Sequence, residues 1–135
     1  MSKRKASIKS VEKKLTKLCY EYIKIRDKNT CQHCEKYVEG SNAHPSHVIP
    51  KSRSKFLRWD DSNIKILCFH CHMQWWHQNP LKAGVWFKDK FPHRAEYVEK
   101  NEKRSLKEEL SNTGFTYREW LNEWLNFYEE KINNE

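Results

Sequence analysis

The chain has 135 residues, 26 of them Lys or Arg and 18 Asp or Glu, for a formal net charge of +8. That length supports one modest domain with a single core. No apolar run is long enough to span a bilayer, and the basic N-terminus lacks the apolar stretch of a secretion signal. A cytoplasmic protein with reduced cysteines and no membrane partner is expected.

The charge is unevenly spread. Residues 1–28 carry ten basic and three acidic residues, residues 29–100 eleven and seven, and residues 101–135 five and eight. A basic front and middle with an acidic tail suits a polyanionic partner met by the N-terminal two-thirds. Six Trp, six Phe and six Tyr compensate for few aliphatic residues, because each buried aromatic removes a large area from water.

Residues 1–9 read as a basic flexible arm. From about Ser10 a helix is predicted, with Val11, Leu15, Leu18, Tyr22 and Ile25 on one face and Cys19 packed as a small buried hydrophobe. Asp27-Lys28-Asn29 ends it. Cys31-x-x-Cys34 belongs on a tight turn, Tyr37-Val38 on a short strand, and Gly40-Ser41-Asn42 on a turn. His44 to Ile49 is extended, since Pro45 and Pro50 oppose helix. Lys51, Arg53, Lys55 and Arg58 form a basic loop suited to phosphate contacts, held to the core by Phe56, Leu57 and Trp59. Residues 60–63 turn the chain, and Ile64, Ile66 and Leu67 form a strand leading to Cys68-x-x-Cys71.

A helix should then carry His72, Met73, Trp75, Trp76 and His77. Asn79-Pro80 has the form of an N-cap with proline at the first helical position. The helix that follows carries Leu81, Val85, Trp86 and Phe87 and ends at Phe91-Pro92. Residues 93–112 are charged and helical in propensity, with a capping box at Ser105 to Glu108. The last helix starts at a capping box, Thr116 to Glu119, flanked by Phe115 and Trp120 as a hydrophobic staple. Trp120, Leu121, Trp124, Leu125, Tyr128 and Ile132 line one face. That face either folds back on its own domain or makes a homodimer.

Cys31, Cys34, Cys68 and Cys71 form two C-x-x-C pairs a few tens of residues apart, the pattern of a structural zinc site with four thiolate ligands. A redox dithiol and plain core cysteines are the competing readings. His33 and His70, inside the knuckles, are expected to support thiolates or lie exposed. Between and after the pairs come His44, His47, Asn63, His72 and His77. Phosphodiester hydrolysis needs a base to activate water, a cation to neutralise the phosphorane and a group to orient the base. Histidine titrates near neutrality and suits the first task.

The order His47…Asn63…His72 resembles the signature of the HNH endonucleases. Tyr22 to Asp27 before Cys31-x-x-Cys34, His44-x-x-His47, Leu57-Arg58-Trp59-Asp60, and Asn63 before Cys68-x-x-Cys71 resemble more narrowly the NinG or Rap recombination proteins of lambda-like phages. The resemblance covers about residues 20–80.

It implies an α+β fold: a small zinc-stabilised ββα-metal core, treble-clef-like, flanked by N- and C-terminal helices. Residues 10–92 would be the nuclease domain and residues 93–135 a helical extension packing on it or on a partner. It further implies DNA as substrate, His47 as general base, Asn63 as the residue orienting the catalytic loop and His47, and His72 as ligand of a catalytic Mg²⁺ or Mn²⁺. The products would carry 5′-phosphate and 3′-hydroxyl ends, and branched or recombining phage DNA would be the target. Many sites of this family place Asp or His immediately before the base. Here Ser46 stands there, so His44 or His77 is expected to supply the missing ligand. The competing function is a non-catalytic zinc-finger DNA-binding module.

Overall fold

The computed structural model describes residues 5–134, so residues 1–4 of the expected basic arm lie outside it. The first helix, α1, spans Ile8–Arg26, and the side chain of Ser7 caps it by accepting from the Ser10 amide at 3.1 Å. It therefore begins two residues earlier than the periodicity predicts, because Ser7 supplies a capping oxygen. Val11, Leu15, Cys19, Tyr22 and Ile23 are its buried residues, with Leu18 partly buried beside them.

Asp27 ends α1, and Lys28 and Asn29 follow at φ 56° and 49°. This end is tied to the site-bearing strand. The Arg26 guanidinium donates to the carbonyls of Asp61 (2.7 Å) and Ile64 (2.6 Å), and the Asp27 carboxylate accepts the Ile66 amide at 2.9 Å.

The sheet is one antiparallel pair, β1 (His44–His47) and β2 (Ile64–Leu67), registered His44 to Leu67 and His47 to Ile64. All four β2 residues are buried, as in a strand covered on both faces. The strand expected at Tyr37-Val38 is reduced to a single bridge, Thr30 to Tyr37. The segment after the second knuckle is a π-helix, His70–Trp76, rather than the α-helix expected there.

Four α-helices complete the chain: α2 (Pro80–Lys90), α3 (Pro92–Asn101), α4 (Leu106–Thr113) and α5 (Tyr117–Asn133). Proline opens α2 as expected, but the Asn79 side chain makes no cap; its amide instead donates back to the Trp75 carbonyl at 3.4 Å. Both halves of the Thr116–Glu119 capping box are formed. At Ser105 the hydroxyl accepts from the Glu108 amide.

The central packing is α5 on α1. Leu121, Leu125 and Tyr128 are buried in one cluster with Leu15, Cys19, Ile23 and the β2 residues. Leu121, Leu125 and Tyr128 of the apolar face of α5 thus pack within the chain, with Trp120, Trp124 and Ile132 partly buried beside them. The Tyr128 hydroxyl donates to the Trp59 carbonyl, anchoring the basic loop beneath the helix pair. No helix among the described residues is long and apolar enough to cross a membrane.

Candidate metal centre and hydrolytic cleft

The two cysteine pairs meet. The Sγ atoms of Cys31, Cys34, Cys68 and Cys71 all lie within 4.8 Å of one another, and those of Cys34 and Cys68 are 3.9 Å apart. A tetrahedral zinc with Zn–S bonds near 2.3 Å puts its sulfurs about 3.8 Å apart, so the donor set fits that ion. Amides inside each knuckle point at thiols, Cys34 to Cys31 at 3.5 Å and Cys71 to Cys68 at 3.4 Å. Such donors stabilise thiolates.

His33 Nδ1 lies 3.3 Å from Cys71 Sγ, and its ring stacks on Trp75 at 3.5 Å. It supports the site without adding to the four sulfurs, and His70 is exposed. Cys19 stands apart, its Sγ 3.9 Å from the Trp59 carbonyl, and burial pushes its thiol up to about 12.

β1, the π-helix and its C-terminal cap bring His47, His72 and His77, but not His44, to the wall of a cleft of about 640 Å³ that Tyr20, Lys51, Arg53 and Trp76 also line. His47 Nε2 is 2.9 Å from the main-chain oxygen of Arg58. A carbonyl only accepts, so Nε2 carries the proton and Nδ1 keeps its lone pair. Burial, the largest influence, lowers the His47 pKa to about 4 against the raising effect of the Arg58 carbonyl, and Lys51, Lys65 and Arg58 lower it further. The ring is therefore a neutral base at physiological pH.

Asn63 is completely buried. Its amide donates to the carbonyls of Ile49 (3.0 Å) and Leu57 (3.2 Å), and its Oδ1 accepts the Ile49 amide at 2.8 Å. Its backbone oxygen takes the Val48 amide at 2.7 Å. One side chain thus clips both ends of the loop after His47, and Arg58, which holds His47, directly follows Leu57.

His72 touches two other histidines. Its Nδ1 is 3.1 Å from His44 Nδ1 and its Nε2 is 3.1 Å from His77 Nε2. Nitrogens sharing one ion at bonds of 2.0–2.1 Å lie roughly 2.9–3.4 Å apart, so each pair matches a shared cation. The three cannot share one as they stand, because His72 turns opposite nitrogens to its neighbours. Burial, then His77 and His44, lowers the His72 pKa to about 4.

His77 aligns with His72 because the backbone is π: the His77 amide reaches the His72 carbonyl five residues back, at 3.2 Å. An α-helix would align a residue four positions on with His72; the π turn puts the fifth, His77, there instead.

Of the basic loop, Lys51 and Arg53 line the histidine cleft, whereas Lys55 and Arg58 do not. Arg58 is turned toward Glu12 (3.6 Å) and lies over the Trp59 ring (4.3 Å). Ser46 is fully buried, with Lys65 Nζ donating to its hydroxyl at 2.8 Å. It is thus engaged beneath the sheet and unavailable to a cation in the cleft.

Two further groups at the site belong to no motif in the sequence. Tyr20 lines the cleft with its ring edge-on to His47 at 6.4 Å between centroids. Lys65, fully buried, has its ammonium 3.1 Å from the Trp76 ring centroid. The only signal for Lys65 is its place between Ile64 and Ile66 in a strand too apolar to face water.

No curated protein and no solved structure matches the chain. Residues 31–75, which hold both cysteine pairs together with His44, His47, Asn63 and His72, match the family model described as HNH endonuclease.

Proposed function

We propose that the protein is a metal-dependent HNH endonuclease that hydrolyses DNA phosphodiester bonds. The observation that supports this most directly is that His47, His72 and His77 line one cleft flanked by Lys51 and Arg53. His47 Nδ1 takes the proton from the attacking water as its oxygen bonds to phosphorus. The P–O3′ bond breaks, the departing 3′ oxygen takes up a proton, and the 5′ side keeps the phosphate. Lys51 and Arg53 hold the anionic backbone against the cleft.

His72 and His77 would hold the divalent cation, and two imidazole nitrogens suit a transition ion such as Mn²⁺ better than oxygen-seeking Mg²⁺; when bound it would neutralise charge on the phosphorane and the leaving oxygen. His44 suits an outer role. By accepting Nδ1–H from His72 it leaves His72 Nε2 free as the ligand atom. Asn63 keeps the loop, and through Arg58 the base, in register. Four thiolates and one Zn²⁺ close the scaffold. The narrower reading, cleavage of branched phage recombination intermediates, rests on the resemblance to the NinG or Rap proteins.

Plasmid nicking with Mg²⁺ or Mn²⁺ by wild type and His47→Ala tests the proposal. Activity in the wild type and its loss in the variant are expected. If both are inert while DNA binds with steep salt dependence, the protein is a binding module instead.

A further inference from the structure

A second basic cleft, of about 570 Å³, lies between residues 52–55 of the loop and the α3–α4 junction. Its cationic walls are Arg53 and Lys55 on one side and Lys103, Arg104 and Lys107 on the other, with Glu102 the one acidic residue. Glu102 faces Arg53 at 3.4 Å, and Arg104 pairs with Glu109 and lies over the Phe56 ring. Lys55, Lys103 and Lys107 are exposed and form no ion pair among the described residues. Three unpaired ammonium groups converging on one concavity raise its potential and attract an anion.

The position of this cleft indicates what kind of anion it takes. It shares Ser52 and Arg53 with the histidine cleft. It shares Lys55 and Lys107 with a third cleft, which in turn shares Lys51 with the histidine cleft and also holds Arg58. The cations of the three clefts therefore adjoin one another around residues 51–58, with Glu12 and Glu102 the acidic residues among them. A small anion would occupy one concavity, whereas a polymer with regularly repeated phosphates can occupy several together.

We infer that the cleft at the α3–α4 junction is a second phosphate-binding site, in which Lys55, Lys103 and Lys107 take backbone phosphates of the DNA whose scissile bond lies at His47. The net-acidic tail of the chain thereby contributes to substrate binding. The inference rests on the nuclease reading and adds to it a footprint beyond the scissile phosphate.

The test is fluorescence anisotropy of a labelled DNA duplex titrated with the zinc-loaded full chain in the His47→Ala background, which keeps the DNA intact, over a range of salt. Each lost phosphate contact flattens the plot of log Kobs against log salt by about 0.9, so Lys103→Ala/Lys107→Ala should flatten it by about 2. Across a fourfold rise in salt the parent then loses roughly tenfold more affinity than the variant. Lys36→Ala/Lys131→Ala removes the same charge from exposed positions outside the clefts and should keep the parent slope. A steep parent slope with an unchanged junction variant, or equal flattening by the control pair, overturns the second site alone. A parent with no salt-sensitive binding overturns the nuclease reading and this site with it.

Discussion

His47 Nε2 and the main-chain oxygen of Arg58 are 2.9 Å apart, which fixes both the tautomer and the aim of the proposed base. Burial keeps that ring neutral down to about pH 4. A general base works deprotonated, so its rate contribution is full above its pKa and lost as pH falls through it. The single-turnover nicking rate at saturating Mn²⁺ should therefore hold below the ordinary imidazole value of about 6.5 and fall only toward about pH 4. An acid limb centred near the ordinary value would remove His47 from this role.

Asn63→Ala removes three side-chain hydrogen bonds, stranding the Leu57 carbonyl in the interior and leaving the half-buried Ile49 amide and carbonyl without these partners. A buried polar group left unpaired costs about 1–3 kcal/mol, so a total loss near 3 kcal/mol is expected. Denaturant unfolding of the zinc-loaded protein measures it. Proteolysis should also nick residues 50–56 faster in the variant, because the clip on both ends of that loop is gone. A loss below about 0.5 kcal/mol, the range of ordinary surface substitutions, would mean that Asn63 does not hold the loop.

What could be read from the sequence was local or exact in spacing. The start of α5 was legible because Thr116 and Glu119 satisfy each other's backbone within four residues. The four-sulfur cluster was legible because knuckle spacing leaves few alternatives. The alignment of His72 with His77 was not, since periodicity assumes 3.6 residues per turn and nothing in residues 70–76 announces a π-helix. Lys65 was not legible either. Ile64 and Ile66 on either side hint that the strand is covered, but only the assembled fold puts Ser46 and the Trp76 ring against the amine.

Zinc removal should undo the region around both knuckles, since metal-binding energy in such sites is folding energy. The chain should release one equivalent of zinc to a chelator after thiol modification. Tryptophan fluorescence should change in step, because Trp75 stacks on His33, which faces Cys71. Cys68→Ser should bind zinc more weakly and show the same fluorescence change. Metal release with no change in the tryptophan signal would show that the four sulfurs do not hold the fold.

His44 and His77 should separate in their effects. His77→Ala removes a proposed ligand and should lower both Mn²⁺ affinity and activity. His44→Ala removes the partner that orients His72, and loss of such a partner costs about 10–100-fold in metal affinity or activity. Raising Mn²⁺ should restore the rate of His44→Ala more fully than that of His77→Ala, since only the latter lacks a donor. Calorimetric titration with Mn²⁺ and nicking assays over metal concentration give both readings. Identical, fully rescued behaviour of the two variants would place both residues outside the ligand set.

Lys65 makes the sharpest stability prediction. Its ammonium is fully buried, its hydrogen bonds go to Ser46, and burial lowers its pKa well below 10.5 despite the raising influence of Asp27. A buried charge contributes little net stability, so Lys65→Met/Ser46→Ala, which removes both partners of the buried hydrogen bond and keeps the contact with Trp76, should be neutral or stabilising by about 1 kcal/mol near pH 7. Lys65→Ala leaves a cavity beside Trp76 and should cost about 2–3 kcal/mol. The pH dependence has a definite sign. Below the ordinary lysine value the unfolded chain binds the proton more tightly than the fold does, so wild-type stability rises with pH up to about 10.5. Methionine and alanine do not titrate, so the advantage of Lys65→Met/Ser46→Ala should shrink as pH climbs from 7 toward 10, in urea unfolding of both zinc-loaded proteins. An advantage that stays constant or grows over that range would mean that the amine keeps an ordinary pKa in the fold.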